Sequence, residues 1–176
     1  MATATLPDLE AQTDARDPES IERLHDRLAR ELTQDERETR IQCRREARRQ
    51  GPGLPAEILL DIAAHAEQTE ARLRAQLTAA PPLGVAVSLV AARTFSNLRH
   101  LALDRIATHE RSYRATLLGL REGLDAAHLL RAVAERAFRP QIQALCAELI
   151  RLREPMLAKA VDAVDWFADR PAFALH

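Results

Sequence analysis

The sequence predicts an all-α protein, an antiparallel helical bundle of four or five principal helices with a long central helix. Ala, Leu, Arg and Glu, which are strong helix formers, dominate the 176 residues. Apolar residues recur at spacings of three and four along most of the chain, which is the period of an amphipathic helix. The content of 47% hydrophobic and 29% charged residues is typical of a globular domain.

Two parts of the chain are expected to behave differently. Residues 1–17 are acidic and aperiodic and predict a flexible N-terminal tail, whereas residues 18–176 predict a single helical-bundle domain. Within this domain, residues 18–50 are expected to form a charged N-terminal helical arm and residues 55–170 the bundle core.

The first helix has clear signals at both ends. Asp17 can accept hydrogen bonds from first-turn N–H groups, and Pro18 suits the first helical position because it has no N–H to leave unpaired. Gly51 is well placed to end the helix. In between, Thr33 to Glu36 have the form of a capping box, so the helix either restarts there or continues.

The long central helix is predicted over residues 84–122. The segment Leu83–Ala92 is apolar on every side, which is typical of a helix buried among neighbours. A straight helix of this length would span about 58 Å, against about 35 Å for the second helix, which begins near Pro55. The mismatch predicts a kink, an overhang or a break, and Thr108–Ser112 is the favoured place.

The end of the chain predicts two further helices. Gly123 is expected to end the long helix, and Asp125 to cap a short one that reaches Phe138. Pro140 then begins the last helix. Pro155 lies within that helix and is expected to kink it, because its ring and missing N–H disturb the preceding turn.

Several histidines are candidate metal ligands by their spacing from carboxylates. Ferritin-like di-iron sites take carboxylates from four helices, two of them in Glu-x-x-His pairs. Here the first helix has Glu22 and His25 at that spacing, and Asp125 and His128 have a similar one. The central helices offer only pairs four residues apart, Asp61 with His65 and His100 with Asp104. The pattern is scattered and does not make up the di-iron motif, so no metal is expected, and the weak candidates are His65, His100, Asp104 and His109.

His109 has two interpretations. It lies on the apolar stripe of the long helix, where it can be a boundary histidine hydrogen-bonded to a backbone carbonyl or a carboxylate. It can also be a haem or metal ligand, with Met156 or Cys146 as a second ligand. The two cysteines are expected to differ: Cys146 lies in an apolar turn and predicts an inert core thiol. Cys43 precedes two arginines, which indicate an exposed thiol of lowered pKa.

Residues 37–49 carry six arginines and two glutamates, a local charge of +4. Such a helix can bind phosphate, but no aromatic residue is interleaved and the preceding 36 residues have a net charge of −6. Nucleic acid is therefore not expected. The run is either a solvated helix paired with those acids or a surface for an acidic protein partner. The candidate interaction residues are Arg37, Arg40, Arg44, Arg45 and Arg48, together with Val85, Val87 and Val90.

These observations favour a non-catalytic helical-bundle protein that acts through protein–protein association, as a homo-oligomer. The alternatives are a ferritin-like metal-binding or redox bundle and a small-molecule-sensing helical domain with its pocket under residues 85–90. No catalytic residue and no cofactor are expected, because the five glycines form no phosphate loop and no serine lies in a GxSxG elbow. A cytoplasmic location without membrane contact is expected, since no signal peptide or apolar stretch of about 20 residues is present.

Overall fold

The computed structural model describes residues 17–78 and 108–176, which are helical and contain no strand. The all-α prediction is confirmed for these residues. The long helices are α1 (Pro18–Gln50), α2 (Leu54–Thr78), α3 (His109–Arg136) and α4 (Pro140–Asp162), and two one-turn helices follow, α5 (Asp165–Ala168) and α6 (Pro171–Ala174).

The four long helices form a bundle in which α1 and α4 occupy diagonal corners, because each of them packs against both α2 and α3. At one end, the Gln50 Nε2 atom at the end of α1 donates to the carbonyl of His109 at the start of α3. At the other end, Arg139 before α4 pairs with Glu22 near the start of α1. Therefore α1 and α3 are antiparallel, while α2 and α3 run in the same direction, as in bundles with one long crossover connection.

The predicted boundaries of α1 are confirmed. The carboxylate of Asp17 accepts hydrogen bonds from the backbone N–H groups of Glu19 and Ser20, at 3.2 and 3.0 Å. The helix continues through Thr33, whose hydroxyl donates to the carbonyl of Ala29 instead of capping a new helix. It ends at Gly51, which has a φ of 67° that glycine adopts without steric cost.

The long helix predicted over residues 84–122 does not continue through Thr108, which lies in the range where the sequence favoured a kink, an overhang or a break. This residue is extended, with φ −62° and ψ 160°, and its hydroxyl accepts from the N–H of Arg111, so that α3 begins at His109. The break lies inside the range that the sequence favoured.

The expected helix end at Gly123 and new cap at Asp125 are also wrong, because α3 continues through both residues to Arg136. A glycine inside a helix costs about 1 kcal/mol relative to alanine. That cost is smaller than the stabilisation from the buried face on either side of it, where Leu120, Leu124 and Ala127 pack into the core.

The turn between α3 and α4 is tight and contains an unusual residue. Arg139 N–H donates to the carbonyl of Ala134 at 2.8 Å, and Phe138 N–H donates to that of Glu135 at 3.3 Å, which together make a Schellman motif. The left-handed position of this motif usually holds glycine, but here Phe138 occupies it with a φ of 54°. Its side chain is 89% exposed.

All four long helices contribute to the core, and α1 packs against its neighbours rather than standing apart as an arm. Cys43 and Ala47 from its arginine-rich half are buried, so this half does not overhang the bundle. Trp166, Phe167 and Phe173 bring aromatic rings onto the end of the bundle near His109. Among the helices at 17–78 and 108–176, none has an apolar stretch long enough to cross a membrane.

Candidate functional site

Two fully buried charged side chains and a histidine, from three different helices, meet at the centre of the bundle. The Nη2 atom of Arg153 on α4 lies 2.7 Å from Oε2 of Glu36 on α1 and 3.1 Å from Nδ1 of His65 on α2. Arg153 and Glu36 are 2% and 1% exposed. One guanidinium therefore joins three helices, and we call these three residues the central triad.

Burial and the guanidinium together set the protonation of the triad. Burial raises the pKa of Glu36, and the adjacent Arg153 cation opposes that rise. Burial and, to a smaller extent, the Arg153 cation together lower the pKa of His65 to about 4. His65 is thus neutral at pH 7, and its Nδ1 atom serves as an acceptor for Arg153 rather than as a free ligand.

A second buried polar cluster lies between α1 and α3, and the sequence did not predict it. The Ser112 hydroxyl donates to Oε2 of Glu46 at 2.6 Å. The Gln50 side-chain amide donates both to Oε1 of Glu46 and to the carbonyl of His109. Glu46, Gln50 and Ser112 are each no more than 3% exposed, so this cluster fixes the register of the two helices.

Cys43 lies on α1 between the central triad and the second cluster. The expectation of an exposed, reactive thiol is wrong, because Cys43 is fully buried and unpaired. Burial raises its pKa to about 12, and the nearby Arg153 cation compensates only in part. Its neighbours Arg44 and Arg45 point elsewhere, since adjacent helical residues lie on different faces. Cys146 is buried and free, as expected.

His109 lies at the start of α3, against the aromatic cluster, away from the central triad. Its ring meets that of Phe173 edge to face, with centroids 4.2 Å apart. Burial lowers its pKa, and the Arg49 cation adds to this effect. Its Nδ1 atom is buried and has no hydrogen-bond partner, so the expected hydrogen bond to a carbonyl or carboxylate is not seen at this atom.

The structure therefore does not bring together His65 and His109, the two candidate metal ligands that it describes. His65 belongs to the central triad and His109 to the aromatic end of the bundle. Within residues 17–78 and 108–176, no group of three or more His, Cys, Asp or Glu side chains has an arrangement that could hold a metal ion. His100 and Asp104 lie outside the described residues.

The arginine-rich segment is partly neutralised within the chain. Arg44 pairs with Glu67 at 2.7 Å, and Arg40 contacts Glu67 and Glu70 at 3.7 and 3.3 Å. These acids come from α2, not from the acidic stretch before the segment that the sequence suggested. Of the other candidates, Arg37, Arg45 and Arg48 are exposed, and Arg45 has an interaction of its own. Val85, Val87 and Val90 lie outside the described residues.

Two shallow concavities open on the outer side of the α3–α4 hairpin. The larger, of about 480 Å³, is lined by Arg121, Leu124, Asp125, His128, Glu154, Leu157, Ala158, Val161 and Asp162. The smaller, of about 360 Å³, is lined by Arg131, Glu135, Pro140, Gln143, Ala144 and Ala147. We call this surface the hairpin face.

The sequence did not predict the hairpin face, because Gly123 was expected to end the long helix. The signal that could have shown it is a second periodic stripe on the last helix. In this stripe, small residues such as Ala144, Ala147 and Ala158 recur at helical spacing on the side opposite the buried leucines. No protein family, curated protein or solved structure matches this chain.

Proposed function

We propose that this chain is a non-catalytic helical-bundle protein that acts through protein–protein association, and that the hairpin face is its binding surface. The observation that carries the proposal is the apolar surface that borders the two concavities. Val161 is 42% exposed and lines the larger concavity together with Leu124, Leu157 and Ala158. Apolar patches of this kind mark sites of association.

The chemistry of the interior supports the same proposal. The central triad and the second cluster hold their charged and polar groups in contact with one another across the helices. Such contacts fix the register of the helices and so give the bundle a stable outer surface. A rigid helical face with an apolar groove is suited to receive another helix.

The proposal can be tested with a photo-crosslinking amino acid placed at Val161, in the cells that make the protein. Leu60 on α2 is the control, because it is 50% exposed, against 42% for Val161, and belongs to the lining of neither concavity. We expect a covalent product from position 161 that mass spectrometry identifies as a defined protein, and little product from position 60. Equal products from the two positions, or none from position 161, would contradict the proposal.

A further inference from the structure

We propose that the partner at the hairpin face is a second copy of this chain, with α4 packed antiparallel against α4 of the other copy. This inference rests on the proposed function and names its partner. Its basis is a stripe along α4 made of Ala144, Ala147, Arg151, Glu154, Ala158 and Val161, all of them exposed. Their spacing alternates between three and four residues, which is the pattern that lets one helix lie along another.

The stripe is complementary to itself when the two helices run antiparallel. If the two-fold axis passes between Leu152 and Arg153, Arg151 of one copy stands opposite Glu154 of the other, and the reverse pair forms by symmetry. The same operation places Ala147 opposite Ala158. Small residues on both sides of the charged pairs then allow the helices to approach closely.

Arg151 and Glu154, which this register would pair, are both accessible to a partner. Arg151 forms no ion pair with any residue in the parts of the chain that the structure describes. The carboxylate of Glu154 lies 3.5 Å from Nε2 of His128, and its side chain is 55% exposed. A reciprocal Arg151–Glu154 pair would therefore complement both groups without breaking a buried contact.

The same two-fold axis also relates residues in the linings of the two concavities. The smaller contains Ala144 and Ala147, and the larger contains Val161 and Ala158, their counterparts across the axis. Each hollow of one copy would thus face the stripe of the other at the complementary position. An interface of two identical copies needs one patch that complements itself, and this requirement favours a second copy over an unrelated protein.

Charge reversal tests the pairing. Sedimentation at several concentrations is expected to show a dimer of the wild-type chain. Arg151→Glu and Glu154→Arg should each weaken the dimer at least about tenfold, because each creates two like-charge contacts. The double variant exchanges the charges, so its dissociation constant should return to within about threefold of wild type. Arg111→Glu, an exposed change outside the face, is the control and should have little effect. A wild-type monomer at all concentrations, or a double variant as weak as the singles, would overturn the proposal.

Disulfide trapping tests the register. Ala147→Cys and Ala158→Cys chains, mixed and exposed to an oxidant, should yield a linked dimer, because oxidation of the two facing thiols joins one copy to the other. Either variant alone should yield far less, and the native Cys43 and Cys146 are buried and give no background. If either variant alone gave as much linked dimer as the mixture, this register would be excluded. A different protein crosslinked at Val161 would overturn the second copy as partner but leave the proposed function standing, whereas no product there would contradict both.

Discussion

Arg153 and Glu36 form an ion pair across the diagonal of the bundle, with Nη2 and Oε2 2.7 Å apart and the two side chains 3% and 1% exposed. The helices that carry them, α4 and α1, each pack against α2 and α3. The pair therefore crosses the centre of the bundle, where His65 of α2 accepts a further contact from the same guanidinium. Two charges in such a place stabilise the fold only as long as both are present.

Removing one member of the pair should be far more harmful than removing both. Arg153→Met leaves the Glu36 carboxylate buried without its cation, and we expect a loss of about 3–5 kcal/mol in the free energy of unfolding. The double variant Glu36→Leu with Arg153→Met replaces the pair by apolar groups and should lie within about 2 kcal/mol of wild type. Urea unfolding of the variants measures both values. A double variant whose loss equals the sum of the losses measured for Arg153→Met alone and Glu36→Leu alone would show that the two side chains do not interact.

The stability of the protein should depend on pH through His65. The pKa of this imidazole falls from 6.5 to about 4 on folding, so the unfolded chain binds a proton in this interval that the folded chain does not. Stability is then complete above pH 6.5 and is lost as the pH falls toward 4, by about 2 kcal/mol once solvent screening of the half-buried ring is allowed for.

His65→Asn is the matched control for the pH dependence. The asparagine carbonyl oxygen can accept from Arg153 but does not titrate. Glu36 also contributes to the pH dependence, because its raised pKa lowers the stability as the pH rises above the ordinary pKa of a glutamate. Both proteins contain Glu36, so the difference between the two pH profiles cancels this contribution. The same slope between pH 6.5 and 4 in both proteins would show that His65 is not the group responsible.

The helix ends that the sequence predicted correctly are those set by local chemistry. Asp17 accepts from the N–H groups beside it and Gly51 supplies a positive φ, and neither feature depends on residues far away in the chain. The helix end predicted at Gly123 is wrong because the preference of glycine for a helix end is weaker than the stabilisation from the buried residues on either side of it. A glycine alone does not show whether a helix ends or whether packing holds it together.

The central triad could not be predicted from the sequence. Arg153 and Glu36 are 117 residues apart, and each looks like any other charged residue of a helix surface. Only the diagonal placement of α1 and α4 turns both side chains into the interior. The chemistry of His65, a weak candidate metal ligand in the sequence, follows from that placement, because its Nδ1 atom accepts a hydrogen bond from Arg153.

The thiol of Cys43 should be unreactive in the folded protein. Its side chain is fully buried, and its pKa of about 12 leaves almost no thiolate at pH 8. An Ellman assay is expected to detect no thiol in the native protein and two per chain after denaturation, since Cys146 is also buried and free. Rapid reaction of one thiol in the native state would contradict the burial of Cys43.

Phe138→Gly should stabilise the protein. The φ of 54° costs a bulky residue about 1–2 kcal/mol that glycine does not incur, and the 89% exposed ring loses little packing when it is removed. Glycine is more flexible in the unfolded chain, so we expect a net gain of about 0.5–1 kcal/mol in thermal or urea unfolding. Ala137→Gly, one residue earlier at a negative φ, is the control and should destabilise. A loss with Phe138→Gly would show that the ring makes a stabilising contact.

Ser112→Ala should destabilise the bundle more than the loss of a single neutral hydrogen bond. The hydroxyl of Ser112 donates to the buried carboxylate of Glu46 at 2.6 Å, so its removal leaves Oε2 of Glu46 without its hydrogen-bond donor. Hydrogen bonds to charged groups are worth about 1.5–3 kcal/mol, and we expect a loss in this range.

Thr116→Val provides the comparison on the same helix, one turn away. The Thr116 hydroxyl is also buried, but it donates to the carbonyl of Ser112, which remains an acceptor within the helix when the hydroxyl is lost. This variant should cost about 1 kcal/mol or less because no charged group loses a partner. Urea unfolding of the two variants separates the cases, and equal losses would mean that the carboxylate of Glu46 does not depend on Ser112. A larger loss for Ser112→Ala would show that this serine and this glutamate hold α1 and α3 in register.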